Sequence, residues 1–288
     1  SGNNDDQATY ISGSRQRAND DGLGRSYTAR NGWRDLLALE FNKFTVPLWG
    51  GSDGIDITEQ DPYNNTRALK SPNDAKSSYA YASVQRALDA VADPEVVECN
   101  MMAVPGVTTP SLTTQMVRTC ESRADALAII DLPGVYMPPH EKTASEFSQR
   151  LENKVVATVD ALNERGINSS YGCTYYPWVK IYDEINEAQV WAPPSIVAMG
   201  VFANTEKRSA VWFAPAGFNR GGLTEGSAGV KVLGVTERVS SKDRDKLYAA
   251  NINPIATFPA EGIVVFGQKT LQVTASALDR INVRRLLI

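Results

Sequence analysis

An open α/β sheet with helices on both faces, followed by the start of a smaller α+β C-terminal domain, is the fold class this sequence predicts. Two short apolar runs, VVECNMMAVPG and ADALAIIDLPG, read as buried strands closed by Pro and Gly. Between and after them lie segments whose apolar residues recur at helical spacing. A strand, a helix and a second strand in succession imply parallel pairing through a right-handed crossover, and repetition of that unit implies helices on both faces.

The elements follow in order. Residues 1–30 are rich in Gly, Ser, Asn and Asp without periodicity and predict a linker or flexible segment, with order beginning near Gly32. Thr45 to Trp49 predicts a strand and Gly50 to Gly54 a turn, with Asp53, Asp56, Glu59 and Asp61 behind it. SPNDAKSSYAYASVQRALDAVADP places Tyr81, Val84, Leu88 and Val91 on one stripe, with Ser71 and Pro72 as start and Pro94 as stop. The VVECNMMAVPG strand, a helix over LTTQMVRTCESR and the ADALAIIDLPG strand come next. A long amphipathic helix from about Thr143 to Arg165 puts Phe147, Leu151, Val155, Val159 and Leu162 together, and Gly166 closes it.

YGCTYYPWVKIYDEINEAQVWAPP predicts two strand-like runs around an Asp183-Glu184 turn, and PPSIVAMGVFANTEKR a helix opened by prolines. The α/β core is thus expected over 31–228, and the C-terminal domain over 229–288, incomplete. In the latter, DRDKLYAANINPI reads as a helix ended by Asn-Pro, and EGIVVFGQKTLQV as a hairpin. DRINVRRLL reads as an amphipathic element whose arginines face outward.

Composition narrows the function. The 288 residues carry 29 basic and 33 acidic side chains, a balance that favours neither nucleic acid nor an anionic membrane. No run is apolar for the eighteen or so residues of a membrane span. Cys99, Cys120 and Cys173 lie far apart and predict buried, reduced thiols. The chain has 1 histidine, so a zinc site has no ligand set. The carboxylates Asp53 to Asp61 lack the ligand order of a calcium loop and read as a solvated acidic turn. GGSDG and FNRGGLTEG match no phosphate-binding glycine pattern. A Ser-His-Asp arrangement would need His140, in PPHEK, and a nucleophile such as Ser195, yet no nucleophile elbow or oxyanion glycines accompany them.

Four motifs remain, in one order: WFAPAGFNRGGL, DKLYAANINPIATF, GIVVFGQKTLQV and DRINVRRLLI. Together they resemble the recurrent block of contractile phage tail sheath proteins, strongly over about the last eighty residues and weakly before. The resemblance implies a subtilisin-like α/β core without protease function, in which WAPPSIVAMGVFA stands where a subtilisin carries its nucleophile. It implies a structural subunit that polymerises helically around the tail tube and contracts, not an enzyme. It requires no cofactor. Implied partners are other copies of the chain, the tail tube protein, and baseplate and tail terminator proteins, in a virion tail assembled in the host cytoplasm. A hydrolase with the same core is the competing reading. Trp212, Phe213, Phe218, Arg220, Arg280, Arg284 and Arg285 are the expected subunit or domain interface residues. The aromatics would anchor a domain junction, the glycines would permit a sharp chain path, and Arg220 would pair across a surface. Since family chains continue past the last motif, the sequence reads as a fragment of a longer chain, expected to be monomeric or weakly associating.

Overall fold

A computed structural model describes residues 10–11, 14–15, 63, 79–132 and 154–288. Two compact units divide the chain, Ser1–Asp56 and Ile57–Ile288. In the first, β1 (Tyr10–Ile11) and β2 (Ser14–Arg15) pair antiparallel within the segment expected to be a linker. The expectations for Thr45 to Asp61, Ser71, Pro72, His140, Phe147 and Leu151 lie outside the described residues.

The second unit is built on a five-stranded mixed sheet. Helix α1 (Tyr79–Ala90) buries Val84 and Leu88 of the predicted stripe together with Ala80, while Tyr81 and Val91 are half-buried. Beyond it, Val96 to Asn100 is not a strand. The Val96 and Val97 N–H groups both donate to Asp93 O, and the Asp93 carboxylate accepts from Glu95 N, so Asp93-Pro94 turns the chain before β3 (Met101–Ala103) begins. Helix α2 (Pro110–Arg123) starts on a proline and ends at Ala124, whose left-handed backbone (φ 61°) closes its last turn. Strand β4 (Leu127–Ile130) is buried on both faces, as a central parallel strand must be. Helix α3 (Lys154–Asn163) is followed by Gly166 at φ +58°.

The apolar run after Gly172 divides at Tyr176-Pro177 into β5 (Gly172–Tyr176) and β6 (Val179–Asp183), so three strands stand where two were expected. Strand β7 (Ala188–Ala192) returns along β6, and β8 (Val232–Val235) pairs with β6 on its other side, forming a separate antiparallel sheet. Helix α4 (Pro194–Arg208) lies between β7 and β8 in sequence.

Ser240 caps helix α5 (Ser241–Ala249) by accepting from Asp243 N. Asn251, at φ 61°, stops that helix, and Asn253-Pro254 opens β9 (Asn253–Phe258) rather than ending α5. Strand β10 (Gly262–Val265) completes a hairpin with β9. The large sheet runs in the order β10-β9-β5-β4-β3, parallel throughout except for the β10 edge. Its β3-α2-β4 unit is the predicted parallel crossover.

Strands from both sides of residue 229 therefore belong to one sheet. One core joins Leu127, Tyr175 and Phe202 to Ile255, Val265 and Ile281, and the boundary expected near Gly229 falls inside it. Asn253 fastens this join: its side-chain amide donates to Thr174 O and Lys269 O, and its Oδ1 accepts from Lys269 N. Leu127, Ile129, Cys173 and Tyr175 face α4 on one side of the sheet. On the other, a Cβ at Gly172 would meet Val117 of α2 at 3.0 Å, so only a glycine lets α2 settle there.

Candidate interaction surface

WFAPAGFNRGGL lies along the outer edge of β10 and seals part of it. Gly217 N–H donates to Val265 O (2.8 Å), Val265 N–H to Gly221 O (2.8 Å), and Leu223 N–H to Ile263 O (2.7 Å). The glycines are explained by this closeness. Gly217 sits at φ +84°, and a Cβ at Gly221 would approach Val265 O to 2.7 Å. An edge strand that would otherwise offer unpaired backbone groups is thereby occupied by its own chain.

The aromatics on this loop are not buried in a junction. Trp212 is 57% exposed, and Phe213 and Phe218 are also exposed. They are held nonetheless. Trp212 and Phe213 stack at 6.2 Å, and the Arg220 guanidinium lies 4.9 Å over Phe213 while its Nε donates to Ala214 O. Arg220 thus braces its own loop. Phe218 packs edge-on against Phe258 at 5.0 Å and beside Phe266 at 5.7 Å, with Arg244 over Phe258 at 5.2 Å. Phe258, Phe266 and Arg244 were not singled out in the sequence. The Phe at the end of each hairpin strand was the available signal.

The C-terminal arginines reverse expectation. In helix α6 (Ile281–Leu287), Arg284 and Arg285 are buried, while Leu286 and Leu287 face solvent. Aromatic partners explain the inversion. Arg284 lies 4.0 Å over Tyr171 and donates to Ser170 Oγ, and Arg285 lies 4.9 Å over Phe202 and pairs with Glu206 at 2.8 Å. Burial lowers the Arg285 pKa. Arg280 is half-buried and donates to Tyr248 Oη at 2.6 Å. Asn282 donates to Trp212 O, which joins α6 to the aromatic loop.

The Arg285–Glu206 pair is asymmetric, since the arginine side chain is 5% exposed and the glutamate 52%. Removing the glutamate strands a buried charge, whereas removing the arginine frees a carboxylate that water already reaches. Glu206→Ala is therefore expected to lower the unfolding free energy by about 2 kcal/mol, and Arg285→Met to change it by less than about 1 kcal/mol. Urea titrations of the two variants measure the difference.

Among the described residues, the catalytic candidate Ser195 is closed. Ser195 is fully buried at the start of α4, and its hydroxyl donates to Asp131 Oδ2 at 2.7 Å. Asp131, at the end of β4, also accepts from Ser195 N (3.1 Å) and Gly106 N (3.0 Å). Because Pro193 at the α4 N-cap has no side-chain acceptor, Asp131 caps that helix from the neighbouring strand. Burial raises its pKa to about 6. The sequence reading passed over Asp131; a carboxylate ending the apolar run LAII was the signal. Among the described residues no cluster of three metal-ligating side chains occurs, and no helix is long and apolar enough to cross a membrane.

The family described as phage tail sheath protein central domain matches residues 80–271. A tail sheath protein of Vibrio phage KVP40 is 40% identical over 130 residues, covering 45% of this chain and 18% of that one. The tail sheath protein of Enterobacteria phage T4 is 27% identical over 251 residues, covering 82% and 36%. The chain thus spans about a fifth to a third of the length of these relatives. Among solved structures, the contracted sheath complex of the extracellular contractile injection system PVC aligns with a TM-score of 0.49 and 22% identity, covering 67% of this chain and 45% of that one.

Proposed function

Because this chain belongs to the phage tail sheath family, we propose that it is part of a structural subunit that polymerises helically around a tail tube and contracts to drive the tube through the host envelope. The family match over residues 80–271 carries this reading. The relatives are structural tail sheath proteins, not enzymes. The competing hydrolase has no support at Ser195, whose hydroxyl is buried and committed to Asp131.

Partners follow from the role: other copies of the chain, the tail tube protein, and baseplate and terminator proteins, in a virion tail assembled in the host cytoplasm. A subtilisin-like arrangement of the α/β core belongs to the same proposal. No nucleotide is needed. The driving force is a free-energy difference between extended and contracted polymers, and a few kcal/mol per subunit suffices when many subunits switch together.

The braced aromatic loop supports an interface role. Exposed Trp212, Phe213 and Phe218 in fixed positions lose little conformational freedom on contact, and aromatic and arginine side chains concentrate where interfaces derive their binding energy. Arg280 and the buried Arg284 and Arg285 serve by holding α6 and its exposed leucines in place.

Trp212→Ser combined with Phe218→Ser is expected to cost less than about 2 kcal/mol in monomer stability. The same change is expected to abolish assembly. Sedimentation velocity and negative-stain microscopy at high protein concentration test it: concentration-dependent association of the parent chain that the variant lacks supports the reading. Unchanged assembly removes these residues from the interface.

A further inference from the structure

Two features outside the aromatic loop complement one another. The first is the β6–β7 hairpin tip, Asp183-Glu184-Ile185-Asn186-Glu187. Ile185 at its apex is 92% exposed. The tip is rigid, since the Asp183 carboxylate accepts from Ile185 N (3.0 Å), Asn186 N (3.3 Å) and Asn186 Nδ2 (2.7 Å). Glu187 closes the turn in the left-handed region at φ 51°. The result is an apolar knob whose ionisable side chains are all acidic.

The second feature is a groove between α3 and α5. Two adjoining cavities of about 350 and 380 Å³ share Asn163, Ala249 and Ala250. Their apolar lining includes Val156, Val159 and Leu162. The single charged residue along them is Lys246. Such a groove accepts a branched aliphatic side chain, and a lysine at its border selects an acidic surround over a basic one.

The geometry points to a second copy of this chain as the occupant: the Ile185 knob of one subunit seats in the α3/α5 groove of the next, with Glu184 and Glu187 facing Lys246. This deepens the sheath reading and rests on it. The two surfaces are different parts of the same chain, so the contact is heterologous and propagates head to tail, as a helical polymer requires and a closed dimer does not. Preorganisation of the tip means little freedom is lost when it docks.

Cross-linking tests the contact. In a Cys99→Ser background, where Cys120 and Cys173 are buried, Ile185→Cys and Ala249→Cys are placed in one chain, and the concentrated protein is oxidised and run on a non-reducing gel. Both positions are exposed, and a thermal melt matching the parent confirms folding. The expected result is a ladder of dimers, trimers and larger species that reductant collapses. Lys246→Glu is expected to weaken the ladder about tenfold, and adding Glu184→Lys and Glu187→Lys to restore it. No disulfide between 185 and 249, or one that stops at dimers, overturns the contact. Negative stain of the same samples separates the two levels. Tubes, rings or concentration-dependent association without the disulfide leave the sheath reading standing and remove the knob and groove; absence of both overturns the contact, and the sheath reading then rests on the family match.

Discussion

Asp131→Ala is expected to lower the unfolding free energy by about 3 kcal/mol at pH 7, because the buried Ser195 N and Ser195 hydroxyl lose their acceptor, at about 1–3 kcal/mol each, and the half-buried Gly106 N loses the same carboxylate. The loss is local to a join that few other groups can make. A single carboxylate ties the turn after β3, the end of β4 and the first turn of α4, and the prolines that open α4 supply no replacement cap. Urea unfolding with an unchanged m-value measures it. The effect also has a pH signature. The folded carboxyl has a pKa raised to about 6 from 3.8, so the native state binds this proton more tightly than the unfolded chain. Its contribution is therefore fully present below pH 3.8 and is lost as pH rises through about 6. The stability gap between parent and variant is expected to widen by about 2 kcal/mol from pH 7 to pH 4.5. The Ser195 hydroxyl can turn from donor to acceptor when the proton arrives. A gap that stays constant or narrows over that range would show that the carboxylate is solvated in the folded protein.

The parallel core was legible in the sequence because its elements are strongly patterned. Of the stripe Tyr81, Val84, Leu88 and Val91, Val84 and Leu88 are buried and the two ends half-buried, and LAII is a continuous apolar run, the mark of a strand covered on both faces. Helix α4 was legible from its opening prolines. What failed was whatever depended on a partner distant in sequence. VVECN has the composition of a strand but is bent by Asp93. The C-terminal strands were assigned to a separate domain because the glycine-rich stretch from Gly221 to Gly229 looks like a linker. In the fold Gly221 lets the chain lie against β10, and Gly200 of α4 lets it pass that helix at Ala228.

The candidate surface divides the same way. Trp212, Phe213, Phe218 and Arg220 were recognised as a group, and the fold keeps them close, but exposed rather than buried. The arginines of α6 were assigned outward on charge alone. Their burial depends on Tyr171, Phe202 and Glu206, residues about eighty or more positions away that offer aromatic faces and a carboxylate. A helical stripe says which residues share a face, not which face meets water when long cationic side chains have aromatic rings to cover.

Gly200→Ala shows how a distant contact reverses the sign of a local rule. Gly200 lies inside α4, where alanine in place of glycine ordinarily stabilises a helix by about 1 kcal/mol. Here an added Cβ would fall 2.0 Å from Ala228 O and 2.6 Å from Ala228 C. Those are backbone atoms, and the loop that carries them cannot easily retreat. Ser227 N–H donates to Gly222 O, Gly229 N–H donates to Gly226 O, and the Ala228 side chain is itself buried. Overpacking of this kind costs about 3 kcal/mol or more, so the substitution is expected to destabilise by about 2 kcal/mol net of the helix gain. The displacement would travel. Moving Ala228 pulls on Gly222 and Leu223, which are bonded along β10, and so on the loop that presents Phe218. Urea unfolding measures the stability loss, and acrylamide quenching compared with and without Trp212→Phe isolates the Trp212 signal among the 5 tryptophans and reports on the loop. A Gly200→Ala protein as stable as the parent would mean that α4 and the 226–229 turn are further apart than this packing requires. A destabilised protein with unchanged Trp212 quenching would confine the strain to that turn.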